Sequence, residues 1–340
     1  MRAAVLHAYG PPENLVVEEV PEPVLDHPHH VRVAIHATSI NPVDWKIRAG
    51  SQRGAIRYRL PRILGMDLAG EVLEVGTAVT RFRPGDEVYA SPDWKGHGTY
   101  CEQAVIHEGQ LALRPTSIDV LGAASLPLVG LTAWHCLHDA LAERPGQRAF
   151  VMAGSGGVGS FAIQLCRHFG AHVATTCSGR NAELVRDLGA DEVIDYTTTP
   201  FEEVLHDLDI VLDTLGHEAT DRVLPLVRRG GLLASIVSGL PENTERFGPE
   251  LGVLATGLHI AHLRLKGLRH GITARTVVRR PSGDDLAAIA GLVDAGAIRP
   301  VIDRVFPLEH IAEAHAYGET GRIRGKVVID CRQGSSGGSP

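Results

Sequence analysis

The glycines are densest in one run, which has the spacing G-x-G-x-x-G and reads Gly154-Ser155-Gly156-Gly157-Val158-Gly159. A predicted strand at 148–153 precedes this run and an apolar helical stretch at 160–166 follows it. Such glycines permit a tight turn, let the backbone approach a pyrophosphate, and present helix N-terminal N–H groups to the anion. This context predicts a dinucleotide site; the alternative is a glycine-rich turn that binds nothing. The expected cofactor contacts are Ser155, Gly156, Gly157 and Val158.

The end of the next predicted strand, at 172–177, indicates which dinucleotide is bound. NAD-binding proteins place an acidic residue there, about 20 residues after the glycine run begins, to hold the ribose hydroxyls. This sequence has Ser178 and Arg180 there, and no carboxylate before Glu183. A hydroxyl and a guanidinium suit a ribose phosphate, because arginine donates charge-assisted bonds to its oxygens. The pattern favours NADPH over NADH, unless Arg180 only opens the next helix towards water.

Tyr196 ends the third predicted strand of this region, at 192–196. Its hydroxyl could lie beside the same phosphate or beside the adenine. The alternative is an aromatic residue that only ends a strand. Both interpretations stay open.

Two kinds of pattern surround these residues. Residues 1 to about 120 predict a β-rich, barrel-like unit of short strands separated by Gly and Pro turns. From about Ala124, apolar strands alternate with helical periodicity, which predicts right-handed βαβ units and a parallel sheet with both faces covered. The fold class is therefore α/β. The predicted strands lie at 2–7, 15–20, 30–35, 67–75, 86–89, 99–106, 148–153, 172–177, 192–196, 209–213 and 231–237.

The chain returns to mixed character after about Val278 and ends in a predicted strand at 325–330. The α/β unit is therefore predicted to be inserted in the β-rich unit, and a strand at 273–278 is expected at the edge of its sheet. The Gly/Ser-rich tail has linker composition and is expected to be disordered. The predicted divisions are 1–123, 124–278, 279–332 and the tail 333–340.

Composition limits the partners and the compartment. The 340 residues are 44% hydrophobic and 21% charged, as in ordinary globular enzymes. The net charge of -7 has the wrong sign for nucleic acid or an anionic membrane surface. The 5 scattered cysteines form no C-x-x-C pair, which disfavours disulfides and cysteine zinc clusters. With no signal-peptide pattern and no membrane-spanning run, we expect a soluble, cytoplasmic protein that binds neither nucleic acid nor membrane.

Over nearly its whole length, the chain resembles the medium-chain dehydrogenase/reductase superfamily, in its zinc-independent, zeta-crystallin-like branch of quinone and enone oxidoreductases. The shared motifs are NPVDWK at 41–46, GMDLAGEV at 65–72, PGDEVY at 84–89, GLTAW at 130–134, GSGGVG at 154–159, LGADEVIDY at 188–196 and RGKVV at 324–328. The resemblance implies a GroES-like β-rich catalytic domain interrupted by a Rossmann domain. It also implies an active site in the cleft between the two domains.

The sequence departs from zinc-dependent relatives at their metal ligands. Those relatives carry a cysteine near the segment 41–44, a His-Glu pair where this chain has Met66-Asp67, and a four-cysteine lobe that Cys101 alone does not replace. Catalytic zinc needs about three protein ligands and structural zinc needs four. The sequence therefore predicts no metal site.

Reduction of an activated C=C bond needs no Lewis acid, because donors placed at the carbonyl oxygen can stabilise the developing charge. The resemblance places Lys46 beside the nicotinamide ribose, and its ammonium is the expected catalytic donor. Asn41 is expected to contact cofactor or substrate through its amide. Asp44 either orients Lys46 or caps the local turn, and Trp45 is expected to pack. A solvated loop lysine is the alternative for Lys46.

Other expected cofactor contacts also come from the resemblance. Thr132 resembles a residue that hydrogen-bonds near the nicotinamide or phosphate, with a plain helix position as the alternative. Leu215 and Val237 follow the fourth and fifth predicted strands, at carboxyl ends where parallel sheets bind ligands. Arg324 is expected to close over the cofactor, unless it is only a solvated turn residue.

Together these features predict an NADPH-dependent, zinc-free reductase of quinones or α,β-unsaturated carbonyls. The alternatives are an NADPH-binding structural or regulatory protein, or a zinc-free alcohol or enoyl reductase. Loops at 51–60 and 240–260 are expected to line the pocket of a hydrophobic small-molecule substrate. The apolar residues of 240–260 indicate either substrate binding or a dimer surface, and pairing of the 273–278 edge strands would give a homodimer.

Overall fold

The computed structural model describes residues 1–51, 58–93, 96, 98–143 and 145–332. The predicted disordered tail, 333–340, lies outside the described residues, as does most of the predicted loop at 51–60. The described strands are β1 (Arg2–Leu6), β2 (Leu15–Glu19), β3 (His30–Ile40), β4 (Arg62–Ile63), β5 (Leu68–Val75), β6 (Glu87–Ala90), β7 (Gln103–His107), β8 (Leu111–Leu113), β9 (Arg148–Val151), β10 (His172–Cys177), β11 (Glu192–Asp195), β12 (Leu208–Asp213), β13 (Val227–Ser235), β14 (Thr273–Thr276), β15 (Ile302–Pro307) and β16 (Lys326–Asp330).

The α-helices lie between these strands, and short 3-10 turns occur as connectors. The described α-helices are α1 (Pro42–Ala49), α2 (Val120–Ala124), α3 (Pro127–Glu143), α4 (Gly157–His168), α5 (Ala182–Asp187), α6 (His217–Val223), α7 (Leu240–Phe247), α8 (Pro249–His270), α9 (Gly283–Asp294) and α10 (Ile311–Glu319). No helix among the described residues is long and apolar enough to cross a bilayer.

The chain divides into two compact units. The first unit comprises the described residues of 1–131 together with 280–332, and the second comprises 132–279. The second unit thus interrupts the chain of the first. The division falls inside α3, eight residues after the predicted start of the insertion at 124, because helical structure continues across that point without a break.

The first unit is built on a sheet with the order β15-β16-β3-β5-β6-β8, to which β7 adds by pairing with β3. Strand β3 is its longest member, and Val31, Val33 and Ile35 alternate inward to the core. The antiparallel pairing of β16 with β3 returns the C-terminal segment to this unit. A smaller sheet has the order β2-β1-β4. These features confirm the predicted β-rich unit.

The second unit contains a six-stranded sheet with the order β11-β10-β9-β12-β13-β14, and all of its strand pairs are parallel. Counted along the chain this is the order 3-2-1-4-5-6 of dinucleotide-binding sheets. Phe150 and Val151 on the central β9 are fully buried, as expected for a strand covered on both faces. Strand β14 lies at the sheet edge, as predicted.

Several predicted elements differ from the structure in their bounds, such as the strand predicted at 231–237, which is observed as β13 at Val227–Ser235. Strand β3 runs on to Ile40, because β16 pairs with its last four residues. The predicted strand at 99–106 is shortened to β7, and Tyr100 is held by single backbone bonds to Ala4 and Leu64. The predicted loop at 240–260 is helical, with α7 and α8 separated at Gly248, whose φ of 78° suits glycine.

Candidate functional site

The glycine run joins β9 to α4, and its glycines are needed for two different reasons. A Cβ on Gly159 would lie 2.3 Å from the carbonyl oxygen of Ala153, and one on Gly154 would lie 2.1 Å from Thr175 Oγ1. These two glycines therefore allow close packing of helix and strand. At Gly156, the N-cap of α4, the nearest atom would be 3.4 Å away. The fold has room for a side chain at Gly156. The absence of one therefore matters for a ligand, which can approach the N-terminal amides of α4.

Two of the predicted cofactor contacts, Ser155 and Ser178, are brought together by a residue that the sequence analysis missed. Asn181 Nδ2 donates to Ser155 Oγ at 3.1 Å and to Ser178 Oγ at 3.3 Å. Asn181 is buried, and its Oδ1 has no hydrogen-bond partner among the described residues. An unpaired buried acceptor beside two hydroxyls suits the hydroxyl and phosphate groups of a dinucleotide. The residues present therefore fit the predicted cofactor.

Arg180 is exposed and lies on the 3-10 turn Gly179–Asn181 that follows β10. A Cβ on Gly179 would lie 2.5 Å from Asp195 Oδ2, so the carboxylate at the end of β11 packs against this turn. Hydrogen bonds from Thr197 lower the pKa of Asp195. Tyr196 is the residue after the end of β11. Its side chain is 65% exposed and lies at the surface.

The turn after β12 is shaped by the buried carboxylate of Asp213. Its Oδ1 accepts the N–H groups of Leu215 at 3.0 Å and Gly216 at 2.8 Å, and its Oδ2 accepts the Thr220 hydroxyl. Gly216 has φ 73°, and a Cβ there would lie 2.6 Å from Val237 Cγ1. The structure thus brings together the turns that carry Leu215 and Val237, as the parallel sheet predicts.

The first unit contains a buried polar network around Asp67, a residue of the motif GMDLAGEV at 65–72 for which the sequence predicted no role. The Asp67 carboxylate is fully buried. Its Oδ2 accepts Ser39 Oγ and Asn41 Nδ2, each at 2.7 Å, and lies 3.4 Å from Lys326 Nζ. Its Oδ1 accepts the Leu128 N–H at 2.7 Å. The charge of Lys326 and three neutral donors together compensate the burial of this carboxylate.

Asn41 belongs to this network rather than to an open surface. It is fully buried at the N-terminus of α1, where its Nδ2 donates to Asp67 and its Oδ1 accepts from Lys326 Nζ. These contacts give Asn41 a structural role in the buried network. The expected contact of Asn41 with cofactor or substrate stays a prediction. Sequence alone did not separate the two roles, because a helix cap and a ligand contact call for the same side chain.

Helix α1 carries Lys46 on its last turn, partly exposed, so this lysine is not in a loop. Asp44 caps the helix: its Oδ2 accepts the Asn41 N–H at 2.8 Å. Burial raises the pKa of Asp44 to about 7, although the bonds to Asn41 and Tyr100 oppose this. Trp45 packs as expected, since a Cβ on Gly318 would lie 3.0 Å from its ring.

Thr132 is buried on α3, in the second unit. Arg324 is exposed in the first unit, separated from β16 by Gly325. Met66 and Asp67, at the positions where zinc-dependent relatives carry ligands, are both buried. Within the described part of the chain, no group of three or more His, Cys, Asp or Glu residues is arranged to hold a metal ion.

Comparison with known proteins places these features in a family. Residues 27–142 match the family described as the alcohol dehydrogenase GroES-like domain, and residues 188–329 match the family described as zinc-binding dehydrogenase. The structure of the quinone oxidoreductase from Coxiella burnetii is 28% identical, with a TM-score of 0.85 over 98% of this chain and 99% of that chain.

Curated relatives align over almost the whole chain. The mitochondrial NAD(P)H oxidoreductase RTN4IP1 of Mus musculus is 38% identical over 97% of this chain and 89% of its own length. The chloroplastic NADPH-dependent alkenal/one oxidoreductase of Arabidopsis thaliana is 33% identical over 97% of this chain and 79% of its own length. With the glycine turn, the parallel sheet and the GroES-like unit all present, the chain belongs to the medium-chain dehydrogenase/reductase superfamily, in the branch of quinone and enone oxidoreductases.

Proposed function

We propose that the protein is an NADPH-dependent, zinc-free oxidoreductase that reduces quinones or the C=C bond of α,β-unsaturated carbonyl compounds. The observation that carries the proposal is the end of β10, where Ser178 and the exposed Arg180 stand in place of the carboxylate of NAD-binding sheets. The names of the relatives support the same reaction class, since they include NAD(P)H, alkenal/one and quinone oxidoreductases.

The second unit supplies the groups that would hold the cofactor. The N-terminus of α4, approached past Gly156, suits the pyrophosphate. Ser178 and Arg180 suit the 2′-phosphate, because a guanidinium donates charge-assisted bonds to phosphate oxygens. The unpaired Oδ1 of Asn181 can accept a hydrogen bond from a hydroxyl group of the cofactor. Leu215 and Val237 offer apolar contacts at the ends of β12 and β13.

Bound NADPH would supply the hydride. The protein's own task is then to stabilise the negative charge that develops on the carbonyl oxygen of the substrate. We assign this task to Lys46, whose ammonium brings three donors and a full charge. One such donor is typically worth about 3 kcal/mol of activation free energy. A hydrophobic small molecule is the proposed substrate.

The test is a panel of small enones and quinones mixed with the protein and NADPH, with oxidation of the cofactor followed by absorbance. We expect substrate-dependent oxidation that is faster with NADPH than with NADH. Lys46→Met should lower kcat by about 100- to 1000-fold with an unchanged Kd for NADPH. Lys266→Met, which removes a surface lysine paired with Asp221, is the matched control and should retain activity.

The second candidate is a protein that binds NADPH for a structural or regulatory purpose. The cluster of Ser155, Ser178 and the buried Asn181 would serve such a protein equally well. This candidate predicts tight NADPH binding without oxidation on any member of the panel, and that outcome would overturn the proposed catalysis. Reduction of simple ketones alone would instead favour an alcohol reductase.

We also propose that the protein acts as a homodimer in the cytoplasm. The compartment is supported by the cysteines, all of which are buried and free. Reduced thiols of this kind are typical of reducing compartments.

A further inference from the structure

Helix α8 is apolar on two opposite faces. One face is buried within the second unit through Gly252, Leu263 and Gly267, which pack towards α7 and β14. The opposite face carries a second row of apolar residues that we call the α8 stripe. The α8 stripe consists of Leu251, Leu254, Leu258, Ala261, Leu265 and Leu268, and every member is exposed.

The members of the α8 stripe are spaced alternately by three and four residues, which is the pattern of a coiled-coil seam. This spacing keeps them within an arc of about 100° on the helix surface. From Leu251 to Leu268 the row extends about 26 Å at 1.5 Å per residue. Its leucines are between 46% and 73% exposed. A contiguous row of exposed leucines marks an interaction surface, and no described residue of this chain covers the α8 stripe.

The α8 stripe can pair with the same stripe on a second, antiparallel α8 helix. When two α8 helices are paired antiparallel about a two-fold axis, Leu251 lies opposite Leu268, Leu254 opposite Leu265, and Leu258 opposite Ala261. Such an isologous contact uses the same surface on both subunits. Gly257 lies beside the centre of the row, and a Cβ there would meet nothing within 4 Å. The centre is therefore small enough to let the two helices approach closely.

Charge also selects the antiparallel arrangement. Glu250 flanks the first leucine of the α8 stripe, whereas Arg264 and Arg269 flank its other end. All three are exposed, and none has an ion-pair partner among the described residues. Antiparallel pairing brings Glu250 to the end that carries Arg264 and Arg269 of the partner subunit. Parallel pairing would set like charges side by side.

We propose that the α8 stripe is the surface on which a second copy of this chain docks, with the two α8 helices antiparallel across a two-fold axis. This inference deepens the proposed homodimer by naming its contact surface. It does not depend on the proposed catalysis. It also resolves the two interpretations of 240–260 in favour of an interface, because the leucines face away from the second unit.

The first test compares two substitutions on the same helix by analytical ultracentrifugation of the full chain. Leu258→Glu places two carboxylates next to the axis and should weaken dimerisation at least about 100-fold. Val253→Glu adds the same charge at a residue that is 50% exposed but lies off the α8 stripe, so this variant should remain dimeric. Far-UV circular dichroism and NADPH binding show that both variants are folded.

The second test exchanges charges. Glu250→Arg alone and Arg264→Glu alone should each weaken the dimer, and the two together should restore it, because each subunit supplies both members of the pair. A wild-type monomer at all concentrations would overturn the proposal. A dimer unaffected by Leu258→Glu would also overturn it, because the contact would then lie elsewhere, for example at the edge strand β14. Binding of a monomer to lipid vesicles through α8 would overturn it as well.

Discussion

The ammonium of Lys326 lies 3.4 Å from the carboxylate of Asp67, and both side chains are buried in the first unit. Lys326 Nζ also donates to the carbonyl oxygen of Ile40 at 2.8 Å and to the amide oxygen of Asn41. The pair therefore joins β16 to the start of α1, the helix that carries Lys46. Burial lowers the pKa of Lys326, and the nearby carboxylate of Asp67 opposes that shift.

Removing one member of this pair should cost far more than removing both. Asp67→Asn or Lys326→Met leaves the other charge buried without compensation, and each should lower the free energy of unfolding by about 3–5 kcal/mol. The double variant should lose clearly less than the sum of the two. Urea unfolding of the four proteins measures this coupling.

The exposed pair of Lys266 and Asp221 is the matched control. Lys266→Met should lower the free energy of unfolding by less than about 1 kcal/mol, because water solvates both charges. Strictly additive losses at Asp67 and Lys326 would contradict the interpretation of these two residues as a compensated ion pair.

The glycine turn could be predicted from sequence because strand, turn and helix are contiguous there. The sheet order also brought Leu215 and Val237 to the expected edge. The contact between Asp67 and Lys326 could not be predicted in the same way, because it depends on the register that pairs Val327 with Ile40 across most of the chain length.

Asn41 and the segment 240–260 show two further limits of the sequence analysis. The amide of Asn41 suits a ligand contact and a buried structural contact equally well, and its bonds to Asp67 and Lys326 could not be predicted from the sequence. The segment 240–260 contains Gly248, Gly252 and Gly257, and glycine disfavours a helix interior. In the structure, Gly252 instead allows α8 to pack against α7, since a Cβ there would lie 2.5 Å from Thr244 Cα.

Two glycines of the same turn should respond differently to one added methyl group. Gly159→Ala forces a Cβ to 2.3 Å from the Ala153 carbonyl oxygen, and should lower the free energy of unfolding by about 1–3 kcal/mol. Gly156→Ala has room in the fold and an ordinary φ of -82°, so its stability should be nearly unchanged. Its NADPH affinity should nevertheless fall, because the methyl group obstructs approach to the α4 N-terminus.

Thermal unfolding and fluorescence titration with NADPH measure these two effects separately. Equal losses of stability in the two variants would contradict the distinction between Gly159, which is needed for packing, and Gly156, which leaves access for the cofactor. Unchanged NADPH affinity in Gly156→Ala would contradict the prediction that NADPH binds at this turn.

Arg180 should set the preference for NADPH. Arg180→Ala removes the guanidinium proposed to bind the 2′-phosphate, and a charge-assisted contact is worth about 1.5–3 kcal/mol. The KM for NADPH should therefore rise about 10- to 100-fold, while the KM for NADH changes little. Arg186→Ala, at another exposed arginine on the following helix, is the control and should leave both constants unchanged. Equal increases for the two cofactors in Arg180→Ala would refute the phosphate contact.

Asp44 and His315 should give the stability of the first unit two opposing dependences on pH. Both side chains are buried, and both lie near Tyr100, whose hydroxyl is 3.3 Å from His315 Nε2. Burial raises the pKa of Asp44 from 3.8 to about 7. Burial, together with the nearby positive charge of Arg48, lowers the pKa of His315 from 6.5 to about 3.

Between about pH 4 and 7 the unfolded chain has lost the Asp44 proton while the folded protein keeps it, so stability falls as pH rises. Between about pH 3 and 6.5 the unfolded chain has gained a His315 proton that the folded protein excludes, so stability rises with pH. Asp44→Asn should therefore make the free energy of unfolding rise more steeply with pH than in the wild type. His315→Gln should make the free energy of unfolding fall as pH rises. Each substitution should change the slope by up to about 1.4 kcal/mol per pH unit. Urea unfolding at about pH 4.5, 5.5 and 6.5 covers the shared window. Parallel pH profiles for the wild type and both variants would contradict these two shifted pKa values.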